Sequence, residues 1–263
     1  MKQNELSIEI DRPAAEVFEF AINPQNTHKW IDSIIMEETN TWPVKLGTLY
    51  RNRRVVPGKP DFSELNEYEM VKFEPHKLFE IKKKNNPCHV RYTFTPLGEN
   101  RTKLTFLVWM DDNSDLSGPF AQAHLDKLKS VIENGYAPDK TQPQRLMVEL
   151  TRFKMKRGKS EKVQELVKHI RESVPRQKEA FKAEKMFVES IFYEKRGEDE
   201  YLYWYNIQGE GASHLLQSQD PDDKKYIELC NECFDKEAPD SRVDMKLEMS
   251  MIRDELREVM KDL

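Results

Sequence analysis

The stretch SIEIDRPAAEVFEFAINPQNTHKWID, residues 7–32, decides the fold of the first half of the chain. Leu6, Ile8 and Ile10 alternate with polar residues and predict a half-buried strand. Asp11 offers an N-terminal cap, and Pro13 falls in the first helical turn, where its missing N–H costs nothing. The stripe Val17, Phe18, Ala21, Ile22 predicts a short helix with one apolar face, which Asn23-Pro24 ends. A second short helix is expected around His28, Trp30 and Ile31.

Downstream, β-like runs at 33–41, 47–56, 62–73, 77–84, 89–96 and 102–110 alternate with turn residues, among them Pro43, Pro57-Gly58, Pro75, Asn85-Asn86-Pro87 and Gly98-Glu99-Asn100. Connections this short require antiparallel pairing. A long helix over 117–134 closes the segment, striped with Phe120, His124, Leu128 and Val131 and flanked by Leu125 and Ile132. A seven-stranded antiparallel sheet twists and curls, and one helix can cover its concave face without filling it. A groove or cavity between sheet and helix is the expected result, and small molecules bind in such clefts. Trp30, Tyr50, Tyr68, Tyr92, Trp109 and Phe120 are candidates for its walls or mouth, each also readable as ordinary core. His124 is the candidate polar anchor beneath the helix, and with Tyr92 the candidate acid/base group should the cavity catalyse a reaction.

This order of elements, with SIEIDRPAAEVFEFAINPQNTHKWID, VKFEPHKLFEI (71–81) and YTFTPLGENRTKLTF (92–106), resembles the Bet v 1-like (START-like, SRPBCC) superfamily, the polyketide cyclase/dehydrase and lipid-transport group. The resemblance implies a helix-grip fold that binds lipids, hormones or polyketides, or catalyses cyclisation. It implies no shared catalytic residue, so fold alone does not name an activity.

The segment GYAPDKTQPQ, residues 135–144, has linker composition. The expected domains are therefore 1–137 and 145–263, joined by 138–144. The second reads as strand 145–155, helix 159–173, a helical stretch 176–185, strands 187–195 and 200–208, helix 222–236, strand 242–252 and a charged helical tail. The order βαββαβ is the ferredoxin-like arrangement. RFKMKRGKSEKVQEL (152–166), MFVESIFYEK (186–195) and EYLYWYNIQGEG (200–211) resemble an uncharacterised prokaryotic family of small ferredoxin-like domains, related in fold to the dimeric α/β barrels. Strand 200–208 is apolar or aromatic on both faces, with Tyr201, Tyr203, Tyr205 and Ile207 opposed to Leu202 and Trp204. The face without helices must then meet something, a second copy or the first domain. A pocket of the kind found in heme-degrading or quinol monooxygenases of related fold would instead use Glu189, Tyr203 and His214, with Tyr205 on the same surface.

The remaining patterns exclude more than they assign. With 47 acidic against 42 basic residues the chain lacks the positive excess of a phosphate-backbone binder, so no nucleic-acid partner is expected. No apolar run approaches the ~20 residues of a membrane helix, and no signal-peptide core follows the first methionine. Three cysteines suit a reducing cytoplasm. Cys230 and Cys233 form C-x-x-C inside a helix, without a second ligand pair, and read as small buried side chains. Arg51, Arg53 and Arg54 form a basic strand, for which cross-strand pairing with Glu67 and Glu69 is expected over anion binding. Lys82-Lys83-Lys84 reads as a solvated strand end. No nucleotide, zinc-protease or serine-hydrolase signature occurs, and no cofactor or metal is expected. The sequence thus predicts an α+β protein of two domains. The first binds a small apolar or lipid-like molecule and the second mediates homodimer formation or domain docking; the alternatives are a cyclase- or hydratase-like enzyme, a monooxygenase-like site in the second domain, or a purely structural protein.

Overall fold

The computed structural model describes residues 2–56, 59–112, 121–136, 146–173, 178–211 and 215–261. They form two compact units, one mostly from 1–142 and the other mostly from 143–263.

In the first unit β1 (Gln3–Ile10) leads into α1 (Ala14–Ile22) and a 3-10 turn at Pro24–Lys29. The helix begins behind Pro13 with no side-chain cap. Asp11, expected as the cap, instead donates its backbone N–H to Glu133 Oε1 at 2.7 Å. Then follow β2 (Ile34–Thr39), β3 (Leu49–Val56), β4 (Lys59–Glu74), β5 (Leu78–Lys83), β6 (Cys88–Gly98) and β7 (Arg101–Met110). They form one sheet in the order β1-β7-β6-β5-β4-β3-β2. The long helix α2 spans Gln122–Asn134. It stops at Gly135, whose φ of +88° suits glycine and whose N–H reaches Val131 O at 2.9 Å.

The concave face is filled by aromatic rings. Phe106, Tyr92 and Phe79 stand side by side on β7, β6 and β5, and are 2%, 6% and 3% exposed. Tyr92 stacks on Phe79 at 4.5 Å between centroids and meets Phe106 edge-on at 5.1 Å. From α1, Phe18 adds an edge contact to Phe94 at 5.2 Å. Leu125, Leu128 and Val131 supply the buried stripe of α2.

The outer face carries a polar cluster. Glu80, 7% exposed, accepts from Arg91 Nε at 2.8 Å and pairs with His89 Nδ1 at 3.1 Å. His89 Nε2 lies 3.0 Å from Asp111, and its ring stacks on Trp109 at 4.8 Å. Trp109, a candidate for the cavity walls or mouth from the sequence, therefore faces outward. It is in register with His89, between the inward positions Val108 and Met110, so alternation turns it outward.

The second unit runs β8 (Leu146–Lys154), α3 (Ser160–Ser173), α4 (Lys178–Ala183), β9 (Met186–Arg196), β10 (Asp199–Gly209), α5 (Pro221–Cys233), β11 (Arg242–Asp244) and α6 (Asp254–Lys261). The sheet order β11-β8-β10-β9 is the one a βαββαβ chain takes. Its core joins Met155, Val163, Leu166, Leu202, Leu229 and Cys233. Asp220 caps α5 by accepting from Asp222 N at 2.7 Å, with Pro221 in the first turn. The last strand is three residues long where the sequence predicted 242–252. Beyond it Met249 and Met251 are exposed, so their alternation faces no core.

Glu80 gathers Arg91 and His89 in a nearly closed site, so its removal leaves both without that partner. Glu80→Ala should destabilise the first unit by roughly 1.5–3 kcal/mol in urea unfolding. A loss below about 0.5 kcal/mol, the level of an exposed ion pair, would show the cluster to be solvated.

Candidate functional site

One register step beyond the filled aromatic row, Val108, Val90 and Ile81 pair across β7, β6 and β5. They point the same way as Phe106, Tyr92 and Phe79, because side chains two apart on a strand share a face. Yet they are only half-buried. The trough thus has one end packed solid and one end where an apolar floor is left partly uncovered.

Polar groups stand beside that floor on β2, β3 and β4. Glu37 accepts from Thr27 Oγ1 at 2.6 Å and from Asn52 Nδ2 at 3.1 Å. Burial pushes its carboxyl up, against the pull of those two hydrogen bonds. Tyr50 donates its hydroxyl to Ile22 O at 2.9 Å. Burial raises the phenols of Tyr50 and Tyr92 well above their ordinary range, with the charge of Glu37 adding to both. Tyr68 is pushed up to about 12, chiefly by burial, with Arg54 pulling it down and Cys88 and Glu37 adding to the rise.

Of the expected wall residues, the structure brings Trp30, Tyr50, Tyr68 and Tyr92 to one face. Trp30 is 1% exposed and meets Tyr92 edge-on at 6.3 Å. Tyr68 alone of the four is half-buried, so it is the one a bound molecule could touch at the open end. Phe120 lies outside the described residues. His124 sits half-buried in the first turn of α2, where Nδ1 accepts from Ala121 N at 3.1 Å. A histidine this close to the helix start finds the free backbone N–H of the preceding turn before it finds the cavity. Glu37 was not among the expected residues, and it is the inward group suited to holding or moving a proton. Tyr92, the other expected acid/base group, is walled in by its ring contacts with Phe79 and Phe106.

In the second unit the expected polar groups separate. Tyr203 pairs with Phe192 and Tyr205 with Ser190 on the face opposite the helices. The Tyr203 hydroxyl donates to Glu194 Oε2 at 2.6 Å. Glu189 pairs with Asn206 and so lies on the helix-covered face, accepting from Trp204 Nε1 at 2.7 Å. Glu189 and Tyr203 therefore cannot serve one site, and His214 lies outside the described residues. Cys230 and Cys233 are free thiols, and burial pushes Cys230 up to about 12 and Cys233 upward. Neither is poised as a thiolate. Among the described residues no cluster of His, Cys, Asp or Glu is arranged to hold a metal ion.

A cavity of about 180 Å³ opens on the helix face, walled by Phe181, Trp204 and Tyr226, with Glu184 and Glu189 reaching it. Burial lifts Glu184 to about 7, and the charges of Glu189 and Asp223 add to the rise. Its folded value stands above the ordinary 4.5, so the folded chain holds a proton that the unfolded chain releases. The associated stability is complete below about pH 4.5 and is lost as pH rises through about 7. Glu184→Gln keeps the neutral form at every pH. In urea unfolding it should flatten the profile between those limits and gain on the order of 2 kcal/mol at alkaline pH; a slope equal to that of the wild type would refute this.

Several solved structures resemble the chain over about half of its length. Protein CV1439 from Chromobacterium violaceum is 15% identical with a TM-score of 0.41, covering 52% of this chain and 98% of that one. The Aha1 dimer from Colwellia psychrerythraea is 15% identical with a TM-score of 0.39, covering 52% and 100%. Protein NE0264 from Nitrosomonas europaea is 11% identical with a TM-score of 0.42, covering 50% and 94%. No curated protein matches the chain. Residues 146–258 match a family of unknown function (DUF6176). Residues 1–136, more than half of the sequence, match the family described as polyketide cyclase / dehydrase and lipid transport, and the chain belongs to that family.

Proposed function

We propose that the first unit binds a small apolar molecule in the open end of its trough. The observation that carries this reading is the ladder Val108–Val90–Ile81, inward-facing and cross-paired yet half-buried beside a row of rings that is closed. Membership of a family whose description includes lipid transport supports it. Covering about 300 Å² of apolar ligand surface is worth about 7.5 kcal/mol before the cost of immobilising the molecule. Micromolar binding needs about 8 kcal/mol net, so a polar anchor has to contribute as well.

The test is the uncharged fluorophore N-phenyl-1-naphthylamine, titrated into the full chain. Wild type should enhance its emission and release it to dodecanol. Val90→Trp places an indole on the ladder and should weaken binding by roughly tenfold, about 1.4 kcal/mol, while leaving the thermal midpoint within a few degrees. Equal binding by wild type and variant, or none by wild type, would overturn the reading.

A second role concerns association. The face of β8–β10 opposite the helices carries Val148, Leu150, Tyr203, Tyr205, Ile207 and Phe192, and Phe192 is 58% exposed. An aromatic patch of this kind favours a self-complementary contact with a second copy. Sedimentation equilibrium should find a dimer that Phe192→Asp converts to monomer; a wild-type monomer at high concentration would refute this. Among the described residues no helix is long and apolar enough to cross a membrane.

A further inference from the structure

The arginine strand divides between the two faces of the sheet. On β3, Tyr50 reaches inward to Ile22 and Asn52 reaches inward to Glu37. Arg54, two positions further, continues that face, whereas Arg51 points outward and meets Glu67 Oε1 at 2.6 Å. The expected cross-strand pairing holds for Arg51. Arg54 behaves differently: its Nε is buried with no hydrogen-bond partner, and no carboxylate among the described residues pairs with it. Glu37 is the inward acid, but each of its oxygens is already held, one by Thr27 and one by Asn52. The Arg54 charge is felt by Tyr68, the half-buried ring at the open end of the trough.

A guanidinium turned into an apolar trough without a counter-charge is costly, and the cost is relieved when an anion arrives. The planar fork of an arginine donates two parallel hydrogen bonds to a carboxylate or a phosphate, a geometry that lysine and neutral donors do not offer. Resting on the trough reading above, we propose that the bound molecule is an apolar chain with one anionic head, a carboxylate or a phosphate monoester, whose head is received by Arg54 while its chain lies along Ile81, Val90 and Val108. Tyr68 then stands between head and chain. Arg54 is thus a specificity residue, deciding which apolar molecules the site keeps.

The experiment is competition against N-phenyl-1-naphthylamine bound to the full chain, with dodecanoate, dodecyl phosphate and dodecanol at neutral pH below their micellar concentrations. Wild type should bind at least one of the anions roughly tenfold more tightly than the alcohol. The better of the two anions identifies the head. Arg54→Met should bring that ratio to about one with dodecanol affinity unchanged, which also reports that the trough is intact. Arg54→Lys keeps the charge without the fork and should leave a ratio between the two. If wild type binds all three competitors equally, or if Arg54→Met and Arg54→Lys both keep the full preference, the assignment of Arg54 is overturned and the trough reading stands. If none of the three displaces the fluorophore, both fall.

Discussion

The stacked row of Phe79, Tyr92 and Phe106 is the contact on which the first unit depends. A curled antiparallel sheet has to cover its own concave face, and α2 brings only one buried stripe, Leu125, Leu128 and Val131, to the task. The rings do the rest. Each buries a large apolar surface, and the stacked and edge-on geometries add about 0.5–1.5 kcal/mol per pair. Phe18 locks α1 into the same cluster through Phe94, Phe79 and Phe73. Because the filling is concentrated in that row, the next one, built of smaller β-branched residues, is left without a roof of equal depth. The solid end and the open end of the trough follow from the same distribution of side-chain volume along three adjacent strands.

Much of this was legible from alternation and turn chemistry. The buried face of α1 is the stripe read from the sequence, and the seven strands occur in the expected places within a few residues. What escaped the reading was the direction of particular side chains. Trp109 is a candidate for the cavity walls or mouth as an aromatic residue, but its neighbours Val108 and Met110 are the inward positions and it has the opposite parity. Glu37 was hidden by a bulge: the register shifts between Ile34 and Met36. Ile34 and Glu37, an odd number of positions apart, can then both face the interior, which simple alternation forbids. His124 fell to a competing bond, since a ring in the first helical turn satisfies an orphan N–H of its own helix.

The second unit shows the same limit in another form. Reading β10 as two-faced was sound: Leu202 and Trp204 meet the helices while Tyr203 and Tyr205 do not. Grouping Glu189 with Tyr203 required a register that sequence does not contain. The pairing of Glu189 with Asn206 sends its carboxylate to the helix side, where the indole N–H of Trp204 satisfies it. Tyr203 finds Glu194 instead, on its own face. Glu189 and Tyr203 are thus each matched to a donor or acceptor on their own side, and the two do not share a pocket.

The inward charges of the first unit are harder to account for by folding alone. An acid and a base on the concave sides of neighbouring strands would ordinarily neutralise each other, and two apolar residues of similar volume would stabilise the core at least as well. Here Glu37 is held by the neutral donors Thr27 and Asn52, and Arg54 is held by nothing among the described side chains. The bulge that turns Glu37 inward also sets Arg54 opposite Ile34, so no carboxylate stands across from the guanidinium on β2. Elsewhere on these strands Arg51 pairs outward with Glu67, and Tyr50 satisfies its hydroxyl. These two inward charges stand at the end of the trough where the apolar floor is also uncovered, and the bound molecule proposed above would account for them. On that proposal the cost of the unpaired guanidinium is borne by the empty protein and is recovered as binding energy when a matching anion enters.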